Sequence, residues 1–189
     1  VTGLFVTYHM QLFDSIPIAR VWAILLNKGA LPLTLTFVST FALWGLTRET
    51  PGSWSDTATL HIPHHTWCSE AQWRSASLPE LGLAALHEFS LKRLAYSSTG
   101  SMSSSEFLPM AALENTANQQ TLFWQIEHNG SWYWEIGDKQ RELYLRVCGP
   151  TERESHWVKH LLPRQSFETV TAAVGSVHGN IEQAVQALT

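Results

Sequence analysis

Residues 122–137 read LFWQIEHNGSWYWEIG, and the way this stretch is read decides the fold. Aromatic and branched side chains, of the kind that suit a pleated surface, lie on both sides of Asn129-Gly130. An Asn-Gly pair between such flanks predicts a β-hairpin, because a two-residue type I′ turn needs positive φ at both central positions. That turn would set Trp124 opposite Glu135 and Ile126 opposite Tyr133 on one face. Phe123 would then meet Ile136, Gln125 meet Trp134, and Glu127 meet Trp132 on the other. Aromatics fall on both faces, so the expected hairpin is covered on two sides. The second face mixes indole with amide and carboxylate, as a wet domain interface or the rim of a sugar site would. Interface packing is the expectation, with Trp124, Trp132 and Trp134 as the interface candidates.

Outward from this stretch the chain reads as strands. Leu4, Val6, Tyr8, Met10 and Leu12 alternate with Thr7, His9 and Gln11, the pattern of a half-buried strand. Residues 18–26 are apolar on both faces and read as a central strand. NKGALP (27–32) is a turn, and Leu33, Leu35 and Phe37 alternate with threonines, so these three strands read as a meander. Leu143, Leu145 and Val147 alternate up to Gly149-Pro150, and residues 167–177 form a long β-type run. The middle, 47–121, is polar and irregular. There Ser77-Leu-Pro-Glu80 has capping-box spacing, and pattern alone allows a helix over 78–96, interrupted by Gly82. SSTGSMSSS (97–105) reads as a flexible linker or an ordered loop. At the end, Asn180 caps a helix with Ile181, Ala184, Val185 and Leu188 on one face and Gln183 in the box position. There is no internal repeat.

Composition bounds the function. The 189 residues fit one sizeable domain, and 44% hydrophobic content is in the globular range. Charged residues are only 15%, against about a quarter in an average chain, so the surface leans on Ser, Thr, Asn, Gln and His. A net charge of −4 with scattered basic residues argues against nucleic acid as a partner. No apolar run reaches bilayer length, which argues against a membrane span. Cys68 and Cys148 are too few for a disulfide framework or a zinc site and read as free, mostly buried thiols. Nine tryptophans are the outlier, pointing to core and interface packing, or to indole faces that stack on a pyranose.

Chemistry is harder to find. No dinucleotide fingerprint, phosphate loop or nucleophile elbow is present. His61, His64 and His65 are close, but without a carboxylate or cysteine at ligand spacing they read as solvated loop histidines, so no metal is expected. Glycoside hydrolysis by a retaining route needs two carboxylates about 5 Å apart. Glu127 and Glu135 are near each other but point to opposite faces of the expected hairpin, while Glu70, Glu106 and Glu114 are isolated. No catalytic residue is assigned, and no cofactor.

FWQIEHNGSWYWEIGD (Phe123–Asp138) followed by LYLRVCGPTERESHWVKHLLPRQSFETV (Leu143–Val170) resembles the N-terminal domain of family 36 glycoside hydrolases, the α-galactosidases. WCSEAQWRSASLPELGL (Trp67–Leu83), STGSMSSSEFLPMAALEN (Ser98–Asn115) and IPIARVWAILLNKGALPLTL (Ile16–Leu35) look like the same family. The resemblance implies an all-β fold: a β-supersandwich of antiparallel sheets over residues 1–178, truncated at its N-terminus. A short C-terminal helix, 179–189, would lead toward a missing catalytic (β/α)8 barrel. It further implies retaining hydrolysis of terminal α-1,6-galactosides of the melibiose and raffinose type. In this family the catalytic aspartates lie in the barrel, in Lys-Trp-Asp-like and Arg-Phe-Asp-like motifs that do not occur here. The expected partners are the barrel of the same chain, an α-galactoside in the full-length enzyme and further copies in a homo-oligomer. The expected role is non-catalytic: packing on the barrel, oligomerisation and substrate access. Trp67, Trp73 and Arg74 are the substrate-rim candidates, since indole stacks on sugar and guanidinium donates to hydroxyls. A stand-alone carbohydrate-binding module using the tryptophan faces is the alternative. Two departures from the family pattern are Met102, where an aromatic usually follows Gly-Ser, and Cys148, where a small residue is usual.

Overall fold

The computed structural model describes residues 2–48, 50–84, 91–98 and 100–188. In chain order the strands are β1 (Leu4–Phe13), β2 (Ile16–Asn27), β3 (Leu33–Leu35), β4 (Ser39–Trp44), β5 (Ala58–Thr66), β6 (Ser69–Ser77), β7 (Arg93–Ser98), β8 (Met110–Asn115), β9 (Gln120–Glu127), β10 (Trp132–Lys139), β11 (Glu142–Cys148), β12 (Lys159–Leu161), β13 (Ser166–Glu168) and β14 (Thr171–His178). Among the described residues there are also three short helices, α1 (Trp54–Thr57), α2 (Glu152–Ser155) and α3 (Ile181–Leu188). The fold is an all-β sandwich of antiparallel sheets. The large sheet runs β1-β2-β14-β9-β8-β5-β6, with β13 also on β2. The small sheet runs β4-β11-β10-β7, and β3 and β12 form a separate ribbon.

Alternation explains which residues meet between the sheets. Leu60 and Ile62 of β5, Leu113 of β8, Trp124 and Ile126 of β9, and Ala172 and Val174 of β14 point inward from the large sheet. Trp132, Trp134 and Ile136 of β10 and Leu143, Leu145 and Val147 of β11 answer from the small sheet. Trp124 and Trp134 cross edge to face, with ring centroids 5.1 Å apart and planes at 75°, a favoured aromatic geometry. Burying one indole removes about 150–250 Å² from water, worth roughly 4–6 kcal/mol before entropy is counted. A second core lies under the ribbon, where Leu35 and Leu161 cover Ala23 and Leu25 of β2. On the outer side of the large sheet, Ala184 of α3 packs on Ala112 and Phe123.

The aromatic stretch is therefore not a hairpin. β9 pairs with β8 and β14, and β10 with β7 and β11. Residues 128–131 carry the chain from one sheet to the other. Neither Asn129 nor Gly130 adopts the positive φ that a type I′ turn needs. Burial decides this. A hairpin would have put Trp124 and Trp134 on opposite faces of one sheet, whereas crossing over lets both fill the space between two sheets.

Other expectations are revised in the same way. β1 and β2 do form a hairpin, but β3 leaves to pair with β12, so the meander stops at two strands. The Ser77–Glu80 capping box forms, with the Ser77 amide and hydroxyl donating to Glu80 Oε2 at 2.8 and 2.7 Å. It caps one turn only. Gly82 follows at φ +82°, and Arg93–Ser98 is strand β7 instead of helix; residues 85–90 of that expected helix lie outside the described residues. Of the serine-rich segment, Ser97 and Ser98 end β7, Thr99 lies outside the described residues, and 100–105 form a loop in which Ser98 Oγ donates to the Met102 carbonyl at 2.6 Å and Ser131 Oγ to the Gly100 carbonyl at 3.1 Å. The histidines at 61–65 belong to β5, with His61 buried. Cys148 is buried as expected, but Cys68 is exposed at the β5–β6 turn. Last, β1 is not half-buried, since its apolar face is open.

Candidate functional site

A densely bonded group among the described residues lies on the outer face of the small sheet. Alternation sends Tyr133 and Glu135 outward while Trp132, Trp134 and Ile136 go in. The register sets Arg146 opposite Glu135, and both Tyr144 and Arg93 opposite Gly137. Although it faces outward, Glu135 is only 2% exposed, because its neighbours close over it. Arg93 and the Tyr133 hydroxyl donate to Oε2. The Tyr144 hydroxyl donates to Oε1 at 3.1 Å, and Arg146 Nη1 lies 3.1 Å from the same oxygen. Gly137 makes this possible: a Cβ there would stand 2.6 Å from the Tyr144 hydroxyl. Burial pushes the Glu135 carboxyl up, but hydrogen bonds from Tyr133 and Arg93 and the charges of Arg146 and Arg93 outweigh it, leaving the pKa below the usual range. Burial, and then the hydrogen bond to Glu135 and its charge, push the Tyr133 phenol far up. The carboxylate stays ionised and fixes two guanidiniums on the sheet surface.

Beside this group, Trp44 stacks on Tyr144 with centroids 5.6 Å apart and planes 12° from parallel. The Trp44 indole N–H donates to Glu142 Oε2 at 2.6 Å, and Arg48 holds both oxygens of that carboxylate at 2.8 Å. Lys139 Nζ lies 5.5 Å from the Trp44 ring centroid. Trp44, Lys139, Tyr144 and Arg146 line a cleft of about 270 Å³. The chemistry of this face was readable only in part. Tyr133/Glu135 and Tyr144/Arg146 each stand two apart, the spacing of one strand face. Joining the pairs needs the β10–β11 register, and adding Arg93 needs a strand some forty residues earlier.

A second concavity, about 480 Å³, lies between the outer face of β5–β6 and α3, lined by His61, Trp73, Ser75, Ile181 and Val185 among others. His61 Nδ1 is 2.8 Å from Ser75 Oγ, and its Nε2 is 3.2 Å from Glu114 Oε2. Glu114 also accepts the Ile181 amide at 3.2 Å, tying α3 to the sheet. Burial lowers the His61 pKa more than Glu114 raises it. Among the described residues, no group of three or more His, Cys, Asp or Glu is placed to hold a metal ion.

The expected rim residues do not converge. Trp67 stands at the tip of the β5–β6 hairpin and is 85% exposed. Trp73 faces the α3 cleft. Arg74, opposite inward-facing Ile62, is on the other face of the same strand. Trp124, Trp132 and Trp134, the expected interface residues, are fully buried between the two sheets.

No family model and no curated protein matches this sequence. Solved structures do. The α-galactosidase from Lactobacillus brevis matches with a TM-score of 0.79 over 100% of this chain at 16% identity. The fold is shared with α-galactosidases. The galactosidase domain of an α-galactosidase–sucrose kinase matches over 98% of this chain at a TM-score of 0.78 and 10% identity. A family 36 α-galactosidase from Geobacillus stearothermophilus, solved in complex with raffinose, matches over 98% at 0.78 and 17% identity. The chain spans only 23–24% of the length of these α-galactosidases.

Proposed function

We propose that these residues are the non-catalytic N-terminal β domain of a retaining α-galactosidase acting on terminal α-1,6-galactosides of the melibiose or raffinose type. In this reading, residues 1–178 form the sandwich and 179–189 run toward a catalytic barrel. The domain packs on that barrel, contributes to oligomer contacts and borders the path of the substrate. One observation carries the reading: the whole chain superposes on under a quarter of an α-galactosidase. The exposed apolar face of β1 supports it, since a domain built to be covered leaves such a face.

The test is turnover of p-nitrophenyl α-galactoside by the 189-residue polypeptide and by the whole gene product. The whole protein should turn over and the 189 residues alone should not. Hydrolysis by these residues alone, or none by the whole protein, would overturn the reading. The exposure of Trp67 favours a second reading, a carbohydrate-binding module. Saturable quenching of tryptophan fluorescence by raffinose or galactose would support it.

A further inference from the structure

Three polar side chains line up beside the concavity between α3 and the outer face of β5–β6. Ser75 on β6 and His61 on β5 are register partners, and Ser75 Oγ lies 2.8 Å from His61 Nδ1. On the far side of the imidazole, Nε2 lies 3.2 Å from Glu114 Oε2 on β8. The carboxylate can only accept, so it draws the ring proton to Nε2 and leaves Nδ1 bare to take the proton of the Ser75 hydroxyl. His61 is buried, and burial holds its pKa below the usual value, so the ring is a neutral base at pH 7. Hydroxyl, imidazole and carboxylate thus stand in the order that activates a serine nucleophile.

Bracing of the sheet alone would not need the rest of the arrangement. Ser75 is exposed, and it opens with His61 on the cleft of about 480 Å³ walled by Trp73, Ile181 and Val185. An acyl chain or an aromatic ring suits those walls. The main chain adds a donor. Leu78 N donates to the Ala58 carbonyl across β5–β6, while the Thr57 and Pro63 carbonyls accept from Thr116 and Leu108 on the other side. Even-numbered residues of β5 therefore carry the ladder to β6, and His61 and Ser75 are a non-hydrogen-bonded pair. β6 ends the sheet, so the Ser75 N–H points away from β5, beside its own Oγ, where it can donate to an oxyanion forming on an attacked carbonyl.

We propose that Ser75, His61 and Glu114 form a serine-esterase site for neutral esters of small apolar acids. Ser75 Oγ attacks the ester carbonyl carbon as its proton passes to His61 Nδ1. The C–O bond to the alcohol breaks, and the leaving oxygen takes that proton. Water then attacks the acyl-serine, giving a proton to His61 Nδ1, and the acid leaves as Ser75 Oγ is reprotonated. Glu182, which also lines the cleft, repels an anionic substrate and favours departure of the ionised acid. Ser75 and His61 are the catalytic residues, and Glu114 positions the ring. The inference is separate from the galactosidase reading, because both site and substrate differ.

The experiment treats the 189-residue chain with p-nitrophenyl butyrate and with a fluorophosphonate probe, whose adduct is located by mass spectrometry. The probe should add once, on Ser75, in the native chain and not in urea. That result is read on the unaltered chain and needs no variant to fold. Butyrate ester turnover should saturate, and Ser75→Ala should lower kcat at least about a hundredfold with the melting curve unchanged. Glu114→Gln keeps an acceptor for the Ile181 amide but can turn an amide donor toward His61. Its kcat should fall about as far while KM and melting hold. No adduct in the native chain, or an adduct on another residue, overturns the proposal. So does turnover that Ser75→Ala leaves intact, which would come from exposed imidazoles, and so does full kcat in Glu114→Gln.

Discussion

Glu135 shows how one residue can organise a surface without being on it. Its folded pKa is depressed, because the donors and charges around it outweigh its burial. In the unfolded chain the same carboxyl titrates near about 4.3. The stability it contributes is therefore fully present above that value and is lost as pH falls through the lower, folded one. Glu135→Gln should cost about 1–3 kcal/mol at pH 7, since a neutral amide replaces the charged acceptor of Arg93 and Arg146. It should also flatten the acid limb of the stability curve below about pH 4. Urea melts from pH 2 to 7 check this; parallel curves for parent and variant would mean that Glu135 is not linked to folding. The cysteines allow an independent reading of burial. Cys148 lies inside and burial pushes its thiol up to about 12, while Cys68 is exposed at a turn. A thiolate-specific reagent at pH 8 should modify Cys68 in the native protein and both thiols in denaturant. Modification of both without denaturant would show that the sandwich opens readily around β11.

At the scale of elements, strand partnership decides more than strand identity. β14 lies between β2 and β9, and Gly175 sits opposite Ile18 on one side and Phe123 on the other. A Cβ at Gly175 would enter the Phe123 ring and press on the Pro17 carbonyl. Gly175→Ala should thus destabilise by about 1–3 kcal/mol or more, since a close-packed centre cannot yield. Thermal melts measure it, and a neutral result would show that β14 can slide within the sheet. This central strand was legible within the β-type run over 167–177, as were β11 and the Asn180 cap of α3, because alternation and capping are local. The partners of β9 and β10 were not. Asn129-Gly130 argued for a hairpin on local turn chemistry, and the need to cover Trp124 and Trp134 from two sheets prevailed. The Glu135 group stayed hidden for the same reason: Arg93, Glu135 and Arg146 meet only through pairings between separate strands. Likewise Trp73 and Arg74, neighbours in sequence, part to opposite faces once β6 is a strand.

For the whole molecule, the two ends of the large sheet are built differently. β6 at one end is an edge strand that carries Glu70 and Arg74 and departs from regular strand geometry at Ala71, with φ +48°. Charge and irregularity of this kind keep an edge from pairing with other chains. β1 at the other end is ten residues of LFVTYHMQLF, without a charge, a proline or a glycine. Its even-numbered side chains continue the inner face of β2, since Val6 pairs with Leu25, Tyr8 with Ala23 and Met10 with Val21. Yet the small sheet and the ribbon end before reaching them, leaving Val6 59% and Leu12 72% exposed. Such an edge is a template for another strand and for another apolar surface. The 189-residue polypeptide should therefore self-associate as its concentration rises, and sedimentation velocity should show it. Val6→Lys with Met10→Lys should return it to monomer while changing its melting by no more than about 0.5 kcal/mol, the range of open surface sites. In a whole protein where further chain covers this face, the same pair of lysines would instead be buried and cost several kcal/mol. Comparing the two melts therefore reports whether β1 is covered. Association unaltered by the lysines would place the contact on some other surface.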